Sequence, residues 1–202
     1  MIIKKAMILG AGFGKRMLPL TTKIPKPLIK IGPKNLLERT IELLIKIGID
    51  EIIINTHHLS KEIDNFLENK NYQISISTIK EEILLDTGGG ILNATKNFKD
   101  EPFFVLNPDT IWNKNYYEEF KILENSYLRN NKPILLLVNK INSYDKSFKG
   151  DFNFTENNCI TRADSNHHIF TGAQIINRSI FETTNEKIFS MNLIWDNMIK
   201  EK

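Results

Sequence analysis

Short apolar runs and amphipathic stretches alternate along residues 2–138 of the chain. Each apolar run has the length of a strand and ends in polar or glycine-rich sequence, which is typical of a buried strand. Residues 73–79 instead alternate apolar and polar positions, a pattern that also predicts a strand. The strands expected from these patterns are 2–9, 51–55, 73–79, 102–106 and 134–138.

Apolar residues at helical spacing lie between these strands. Leu37, Ile41 and Leu44 recur at intervals of three and four, and 116–127 repeats that spacing. Four prolines between residues 17 and 33 predict an extended loop, because proline fixes φ and has no backbone donor. The helices expected are 33 or 34 to 48, 60–69 with Ser60 as its N-cap, 88–98, 116–127, and a last helix around 191–198.

This alternation predicts an α/β fold with a doubly wound, mostly parallel (mixed), Rossmann-like sheet and helices on both faces. We expect residues 1–202 to form a single domain. In such sheets, ligands bind at the carboxyl ends of the strands. A glycine-rich loop after residue 9, Asn55, residues 81–87 and Asp109 all fall at such ends, so they are candidates for a functional site.

Composition gives information about the partners and the location of the protein. The net charge is +3, but the 22 lysines are scattered, and with 31 isoleucines and 23 asparagines they match a bias toward A- and T-rich codons. No apolar run has the length of a bilayer span. Cys159 is the single cysteine, which excludes an internal disulfide framework, and the N-terminus shows no signal-peptide pattern. We therefore expect a cytoplasmic protein with no nucleic-acid or membrane partner.

The segment Gly10–Arg16 places three glycines and two cations directly after a strand. Glycines let backbone N–H groups approach a phosphate closely, and the cations add positive charge. The spacing is not that of a P-loop. The dinucleotide fingerprint needs a third glycine three positions after the second, and an acid after the second strand. Here Gly14 is two positions after Gly12, and Asn55 ends the second strand, so a dinucleotide-dependent oxidoreductase is disfavoured.

The glycine loop is part of a longer motif. Residues 9–17 read Leu-Gly-Ala-Gly-Phe-Gly-Lys-Arg-Met, then Pro-Leu-Thr at 19–21 and Pro-Lys-Pro-Leu at 25–28. This run resembles the N-terminal motif of the sugar-phosphate nucleotidyltransferases, L-A-A-G-x-G-x-R-M, P-L-T and P-K-P-L, with Gly10 where alanine is usual. Leu85–Gly90 resembles the L-E/D-T-G-G-G segment of the N-acetylmuramate-1-phosphate uridylyltransferase branch, which is close to mannose-1-phosphate guanylyltransferase-like proteins.

Weaker matches extend the resemblance along the chain. Residues 107–109, Asn-Pro-Asp, resemble the family's N-G-D or N-S-D, and the remaining matches are 150–152, 170–172, 189–192 and 195–196. The resemblance implies a nucleotide-diphospho-sugar transferase fold. It also implies that a nucleoside triphosphate is joined to a sugar 1-phosphate with release of pyrophosphate. Such a reaction needs two anions held in line and their charge neutralised, so Mg²⁺ is the implied cofactor and the two substrates are the implied partners.

The resemblance assigns roles to matching residues. Arg16, Lys26 and Asp109 are the catalytic candidates: Arg16 and Lys15 would hold the outer phosphates, Lys26 would bridge the α-phosphate and the sugar phosphate, and Asp109 would ligate Mg²⁺. The nucleotide-binding candidates are Gly10, Ala11, Gly12, Gly14, Lys15, Glu81, Thr87, Gly88 and Asn107. The sugar-binding candidates are Asn55, Asp151, Thr171 and Gly172, each of which serves equally well as a turn or cap residue.

Several alternatives stay open at this point. Glu81 matches a position that reads the base edge in the family, but Glu82 is one residue away. The resemblance also implies a later strand-rich segment with a W-x-D/H-x-G-T-P motif, which supplies a second metal-ligating acid in many relatives and which is not present before Lys202. A shortened domain is therefore expected, either active with a reduced metal site or a nucleotide-binding remnant. Uridylyl transfer to N-acetylmuramate 1-phosphate, a cell-wall reaction, is favoured over guanylyl transfer to mannose 1-phosphate.

Overall fold

A computed structural model describes residues 2–157 and 159–201. The strands are β1 (Lys5–Leu9), β2 (Lys30–Ile31), β3 (Lys34–Asn35), β4 (Glu51–Thr56), β5 (Ser75–Lys80), β6 (Phe103–Leu106), β7 (Ile134–Asn139), β8 (Asn153–Phe154), β9 (Ile160–Thr161) and β10 (His168–Ile176). The helices are α1 (Leu36–Lys46), α2 (Ser60–Glu68), α3 (Asp86–Ala94), α4 (Tyr117–Asn130) and α5 (Met191–Lys200). The described helices include none with both the length and the apolar composition needed to cross a bilayer.

Six strands form the main sheet in the order β5-β4-β1-β6-β10-β7. The strands β5, β4, β1 and β6 are parallel to one another, while β10 is antiparallel to both of its neighbours. The strand order reverses direction at β1, since the chain goes from β1 outward to β4 and β5 and then returns to β6 on the other side. This confirms the predicted mixed, mostly parallel, doubly wound sheet.

Both faces of the sheet are covered by helices because the strand residues point alternately to either side. On one face, Ala6 and Ile8 of β1 lie in a fully buried cluster with residues of α1, α2 and α4. On the other face, Met7 of β1 lies in a second cluster with Ile91 of α3 and Ile194 of α5. Near-continuous apolar strands are what a sheet covered on both faces requires.

Helix starts and the proline-rich loop differ from the sequence prediction. The prediction of Ser60 as an N-cap is wrong: Leu59, with φ of 54°, holds that position, and Ser60 is the first helical residue. Helix α1 begins only after Asn35, because residues 34–35 pair with β2 in a short hairpin. The Asn35 side chain caps the helix by accepting a hydrogen bond from Glu38 N at 2.7 Å. The loop expected from 17 to 33 contains short 3-10 turns as well as β2.

Strand β10 is nine residues long and irregular. Its pairing with β7 shifts register between Phe170 and Gln174. Gly172 lies inside this irregularity with φ of +90°, a conformation that favours glycine. The bulge therefore falls beside the carboxyl end of β6, next to the loop that carries Asp109.

Candidate active site

A cleft of about 300 Å³ opens at the carboxyl ends of β1, β4 and β6. This is the edge at which ligands bind in sheets of this type, because the strand order reverses there. The cleft is lined by Leu9, Gly10, Ala11, Gly12, Arg16, Lys26, Pro27, Asn55, Leu84, Asp86, Thr87, Asn107, Pro108 and Asp109. Loops from distant parts of the sequence thus meet in one place.

The glycine loop forms the floor of the cleft. Gly10 donates its backbone N–H to Asn55 Oδ1 at 2.9 Å, and Ala11 is buried. Gly12 is exposed, and a Cβ atom placed there would meet nothing within 4 Å, so a ligand can approach its backbone closely. Gly14 instead makes the turn behind the cleft with φ of +64°, and its carbonyl accepts from the Thr21 hydroxyl at 3.0 Å.

Two of the three cations predicted for the site lie in the cleft wall. Arg16 is exposed there, and Lys26 lies half-buried between Pro25 and the buried Pro27. The Lys15 ammonium lies 5.4 Å from the centre of the Phe13 ring, and Lys15 does not line the cleft. The geometry therefore gives Arg16 and Lys26 direct access to an anion bound in the cleft.

Lys26 and Asp109 form an ion pair across the cleft. The distance from Lys26 Nζ to Asp109 Oδ2 is 2.5 Å, although the two residues are 83 positions apart in the sequence. Both side chains keep some exposure, 23% for Lys26 and 37% for Asp109. The pair joins the proline-rich loop to the loop after β6, so the two sequence-predicted catalytic groups are in direct contact.

The loop that carries Asp109 is fixed by the bulge of β10. Asn107 donates its backbone N–H to Gly172 O at 2.7 Å, and the Thr110 hydroxyl donates to Thr171 O at 2.6 Å. A Cβ atom on Gly172 would lie 2.8 Å from Asn107 Cβ, so the close approach requires glycine. Thr171 and Gly172 therefore lie behind the cleft wall and not on its surface.

The other predicted sugar-binding residues have structural partners. Asp151 accepts a hydrogen bond from Phe170 N at 2.8 Å and lies outside the cleft lining. Asn55 lines the cleft but is only 2% exposed, and its side chain contacts both Gly10 and Glu81. Its amide is thus committed to the protein interior.

The segment from Glu81 to Gly88 divides between interior and cleft. Glu81 is 2% exposed and does not line the cleft, whereas Glu82 is exposed. Thr87 lines the cleft while its hydroxyl accepts from Met191 N at 2.9 Å. Gly88 is buried, donates to Phe189 O at 2.9 Å, and packs against the Phe189 ring.

Several cleft residues were given no individual role from the sequence, although two of them lie within the candidate segment 81–87. These are Leu9, Pro27, Leu84, Asp86 and Pro108. Asp86 adds a second carboxylate to the lining and has φ of 62°, a left-handed conformation that aspartate adopts more readily than most residues. Its place within the Leu85–Gly90 match was the available signal for it.

Two carboxylates line the cleft, Asp109 and Asp86, and Asp109 is the one predicted to hold a divalent cation. No group of three or more His, Cys, Asp and Glu side chains that could hold a metal occurs within residues 2–157 and 159–201. Asp109 presents a hard carboxylate at a strand end, beside space for phosphates. This donor set fits Mg²⁺, which commonly takes one or two carboxylates and completes its shell with water and substrate phosphates.

Comparison with known proteins identifies similar sequences. The family model described as nucleotidyl transferase matches residues 5–138. The beta catalytic subunit of mannose-1-phosphate guanylyltransferase from Dictyostelium discoideum is 39% identical over 110 residues, covering 53% of this chain and 31% of that protein. N-acetylmuramate alpha-1-phosphate uridylyltransferase from Caulobacter vibrioides is 34% identical over 113 residues, covering 54% and 47%. The chain thus spans about a third to a half of the length of these relatives.

Solved structures show the same fold over nearly the whole chain. The crystal structure of HddC from Yersinia pseudotuberculosis aligns with a TM-score of 0.74 and 26% identity, covering 95% of this chain and 84% of HddC. A UDP-glucose pyrophosphorylase complexed with UDP-glucose aligns with a TM-score of 0.79 and 18% identity, covering 100% and 88%. The architecture of the sheet therefore matches that of these two proteins.

Proposed function

Because the chain belongs to the nucleotidyl transferase family, we propose that it joins a nucleoside triphosphate to a sugar 1-phosphate and releases pyrophosphate. One observation carries this proposal: the backbone of the glycine loop, the cations of Arg16 and Lys26, and the Asp109 carboxylate converge in a single cleft. The reaction needs these groups and no protein nucleophile, since an oxygen of the sugar phosphate attacks the α-phosphorus directly.

The roles of the residues follow from charge and position. The N–H groups around Gly12 approach the triphosphate, and Arg16 binds the outer phosphates that leave as pyrophosphate. Lys26 lies between the two anions and reduces their repulsion, which otherwise opposes the approach of the nucleophile. The bond from the sugar-phosphate oxygen to the α-phosphorus forms while the bond to the pyrophosphate oxygen breaks.

Asp109 is the residue that would hold Mg²⁺. The ion, when bound, supplies positive charge to the phosphate oxygens as negative charge develops. Asp109 must first exchange its ion pair with Lys26 for new partners. When Asp109 leaves the ion pair, Lys26 gains a new partner of opposite charge in the substrate phosphates.

Two substrate pairs are candidates. Uridylyl transfer to N-acetylmuramate 1-phosphate is supported by the Leu85–Gly90 match and by the Caulobacter relative. Guanylyl transfer to mannose 1-phosphate is supported by several relatives, among them the Dictyostelium protein at 39% identity. We propose the uridylyl reaction, which would make a cell-wall precursor in the cytoplasm, where nucleoside triphosphates are supplied.

The first experiment measures pyrophosphate release with Mg²⁺, each of four nucleoside triphosphates, and a panel of sugar 1-phosphates that includes N-acetylmuramate and mannose 1-phosphates. We expect Lys26→Ala and Asp109→Ala to lower the rate by ~10²-fold or more, since each removes charge stabilisation at the reacting phosphates. The exposed residues Lys121 and Asp164 lie outside the cleft, and Lys121→Ala and Asp164→Ala serve as charge-matched controls.

Each result separates the candidates. Turnover with uridine triphosphate and N-acetylmuramate 1-phosphate supports the uridylyl reaction, and turnover with guanosine triphosphate and mannose 1-phosphate replaces it with the guanylyl one. Nucleotide binding without turnover identifies a binding remnant. A chain that neither binds nor turns over any of the four nucleotides contradicts the proposal altogether.

A further inference from the structure

Glu81 is a buried carboxylate that the proposed mechanism does not use. It is 2% exposed and lies at the end of β5, behind the cleft wall. The described residues include no cation within ion-pair distance of its carboxylate. A buried carboxylate is costly unless donors surround it, so its hydrogen bonds explain why it is tolerated.

The donors form a directed chain that ends on Glu81. Gly10 N donates to Asn55 Oδ1 at 2.9 Å, and Asn55 Nδ2 donates to Glu81 Oε1 at 2.6 Å. From the other side, Leu85 N donates to Glu81 Oε2 at 3.0 Å. Leu85 immediately precedes α3, whose positive dipole end favours a negative charge there.

The orientation of the Asn55 amide is fixed by its backbone neighbour. A backbone N–H can only donate, so the oxygen of the Asn55 amide must face Gly10 and its NH₂ group must face Glu81. Position 81 then receives two donors and has to accept on both sides. A carboxylate does this, whereas the amide of glutamine offers one acceptor and one donor.

Helix α3 packs against this pair so closely that neither side chain has room to rearrange. A Cβ atom on Gly90 would lie 2.7 Å from Asn55 Nδ2 and 2.8 Å from Glu81 Oε1. The backbone of α3 therefore backs directly onto the hydrogen bond between Asn55 and Glu81. A mispaired group at either position would stay mispaired.

We propose that Glu81 is a positioning residue, which fixes the backbone of the glycine loop through Asn55 and does not contact the base. The ordered N–H of Gly10 faces the interior, which sets the path of Ala11 and Gly12 along the cleft floor. The link to nucleotide binding rests on the proposed function, but the hydrogen-bond chain itself does not.

The hydrogen-bond chain can be tested by exchanging donor and acceptor groups between positions 55 and 81. In Glu81→Gln, the glutamine NH₂ faces a donor, and in Asn55→Asp, two carboxylates face each other. When both substitutions are combined, the introduced aspartate accepts from Gly10 N and from the introduced glutamine, whose amide oxygen accepts from Leu85 N. All three hydrogen bonds therefore form again in the double variant. Such reciprocal rescue is a coupling that independent structural defects do not show.

Amide hydrogen exchange of Gly10, measured by NMR without nucleotide, reports on the loop directly. We expect each single variant to speed exchange by ~10-fold or more, and the double variant to return to within ~3-fold of the parent. Asn65→Asp with Glu68→Gln repeats the same two changes at exposed positions of α2 and controls for altered charge. Where a single variant does not fold, recovery of folding in the double variant is the supporting result.

Nucleotide affinity separates positioning from base reading. We expect Glu81→Gln to weaken binding of all four nucleoside triphosphates by a common factor of ~10, and the double variant to recover it. A change in the preference among the four bases would overturn the proposal, as would a double variant no better than the singles. If the parent binds no nucleotide, the proposed function fails, while the exchange data still decide the role of Glu81.

Discussion

At the scale of single residues, Tyr72 shows what an imperfectly satisfied group costs. Its hydroxyl is buried and has no hydrogen-bond partner among the described residues. Burial raises the pKa of Tyr72 well above its usual range, and the nearby carboxylates of Glu38 and Glu42 raise it further. The ionised form is thus disfavoured in the folded protein, and the neutral form loses a hydrogen bond to water without replacing it.

We expect Tyr72→Phe to be neutral or to stabilise the protein by about 1 kcal/mol at pH 7, because the orphaned hydroxyl is removed. The pKa of Tyr72 is higher in the folded state than in the unfolded state. Ionisation of Tyr72 therefore leaves the free energy of unfolding unchanged below ~pH 10 and lowers it as the pH rises further. Urea unfolding at pH 7 and at ~pH 10.5 checks both points. The variant should lose less stability between these pH values than the parent, whereas Tyr144→Phe, at a fully exposed side chain, should behave as the parent does.

The sequence predicted some charged and some polar residues of the cleft, and it missed others of both kinds. Arg16, Lys26 and Asp109 were predicted together, and all three line the cleft. Thr171 and Gly172 fit a ligand contact and a turn equally well in the sequence. Only the bulge of β10, a tertiary feature, shows that their carbonyls hold the loop of Asp109 from behind.

At the scale of elements, the glycines of α3 allow a neighbouring segment to pack directly against the helix backbone. Gly88 and Gly89 both donate to Phe189 O, at 2.9 and 3.0 Å, and a Cβ atom on Gly89 would overlap the Lys187 carbonyl oxygen. The segment before α5 therefore lies directly on the backbone of α3. Gly88, a nucleotide-binding candidate in the sequence, is here part of a buried helix surface.

Two glycine-to-alanine variants distinguish packing from ligand access. We expect Gly89→Ala to destabilise the protein by about 2 kcal/mol, since the overlap with Lys187 involves backbone that cannot simply rotate away. Gly12→Ala should leave the unfolding free energy within about 0.5 kcal/mol of the parent, because its Cβ meets no protein atom, and yet weaken nucleotide binding. Equal losses of stability in thermal or urea unfolding would contradict this distinction.

The strands and helices themselves were predictable because burial on two faces imposes a strong pattern. Buried runs such as 103–106 admit few other interpretations, and the amphipathic spacing of α4 fixes its inner face. Helix starts were harder to predict. Leu59 adopts a left-handed conformation that its side chain does not favour, and no local propensity indicates it.

At the scale of the whole molecule, a strand from the last third of the chain links the edge strand β7 to the rest of the sheet. Strand β10 lies between β6 and β7 and pairs with both. The family match, residues 5–138, contains β6 and nearly all of β7 but not the strand that joins them. Segment order along the chain therefore differs from neighbour order in the sheet, which a local pattern cannot reveal.

We expect a fragment that ends at residue 138 to remain unfolded. It lacks β10, which leaves β7 without a partner in the sheet, and it lacks α5, which leaves Met7 and Ile91 uncovered on one face. Circular dichroism and urea unfolding of the fragment and the 202-residue chain test this expectation. A cooperative transition in the fragment would show that the parallel strands suffice.

We expect the ion pair between Lys26 and Asp109 to make binding in the cleft depend on the charge of the ligand, before any contact with a base. Each group already has a partner of opposite charge. A ligand that binds to either group therefore has to replace that partner. A polyphosphate with its counterion offers a replacement to both sides. An uncharged nucleoside offers neither, so we expect the cleft to bind a nucleoside triphosphate with its counterion more tightly than the corresponding nucleoside.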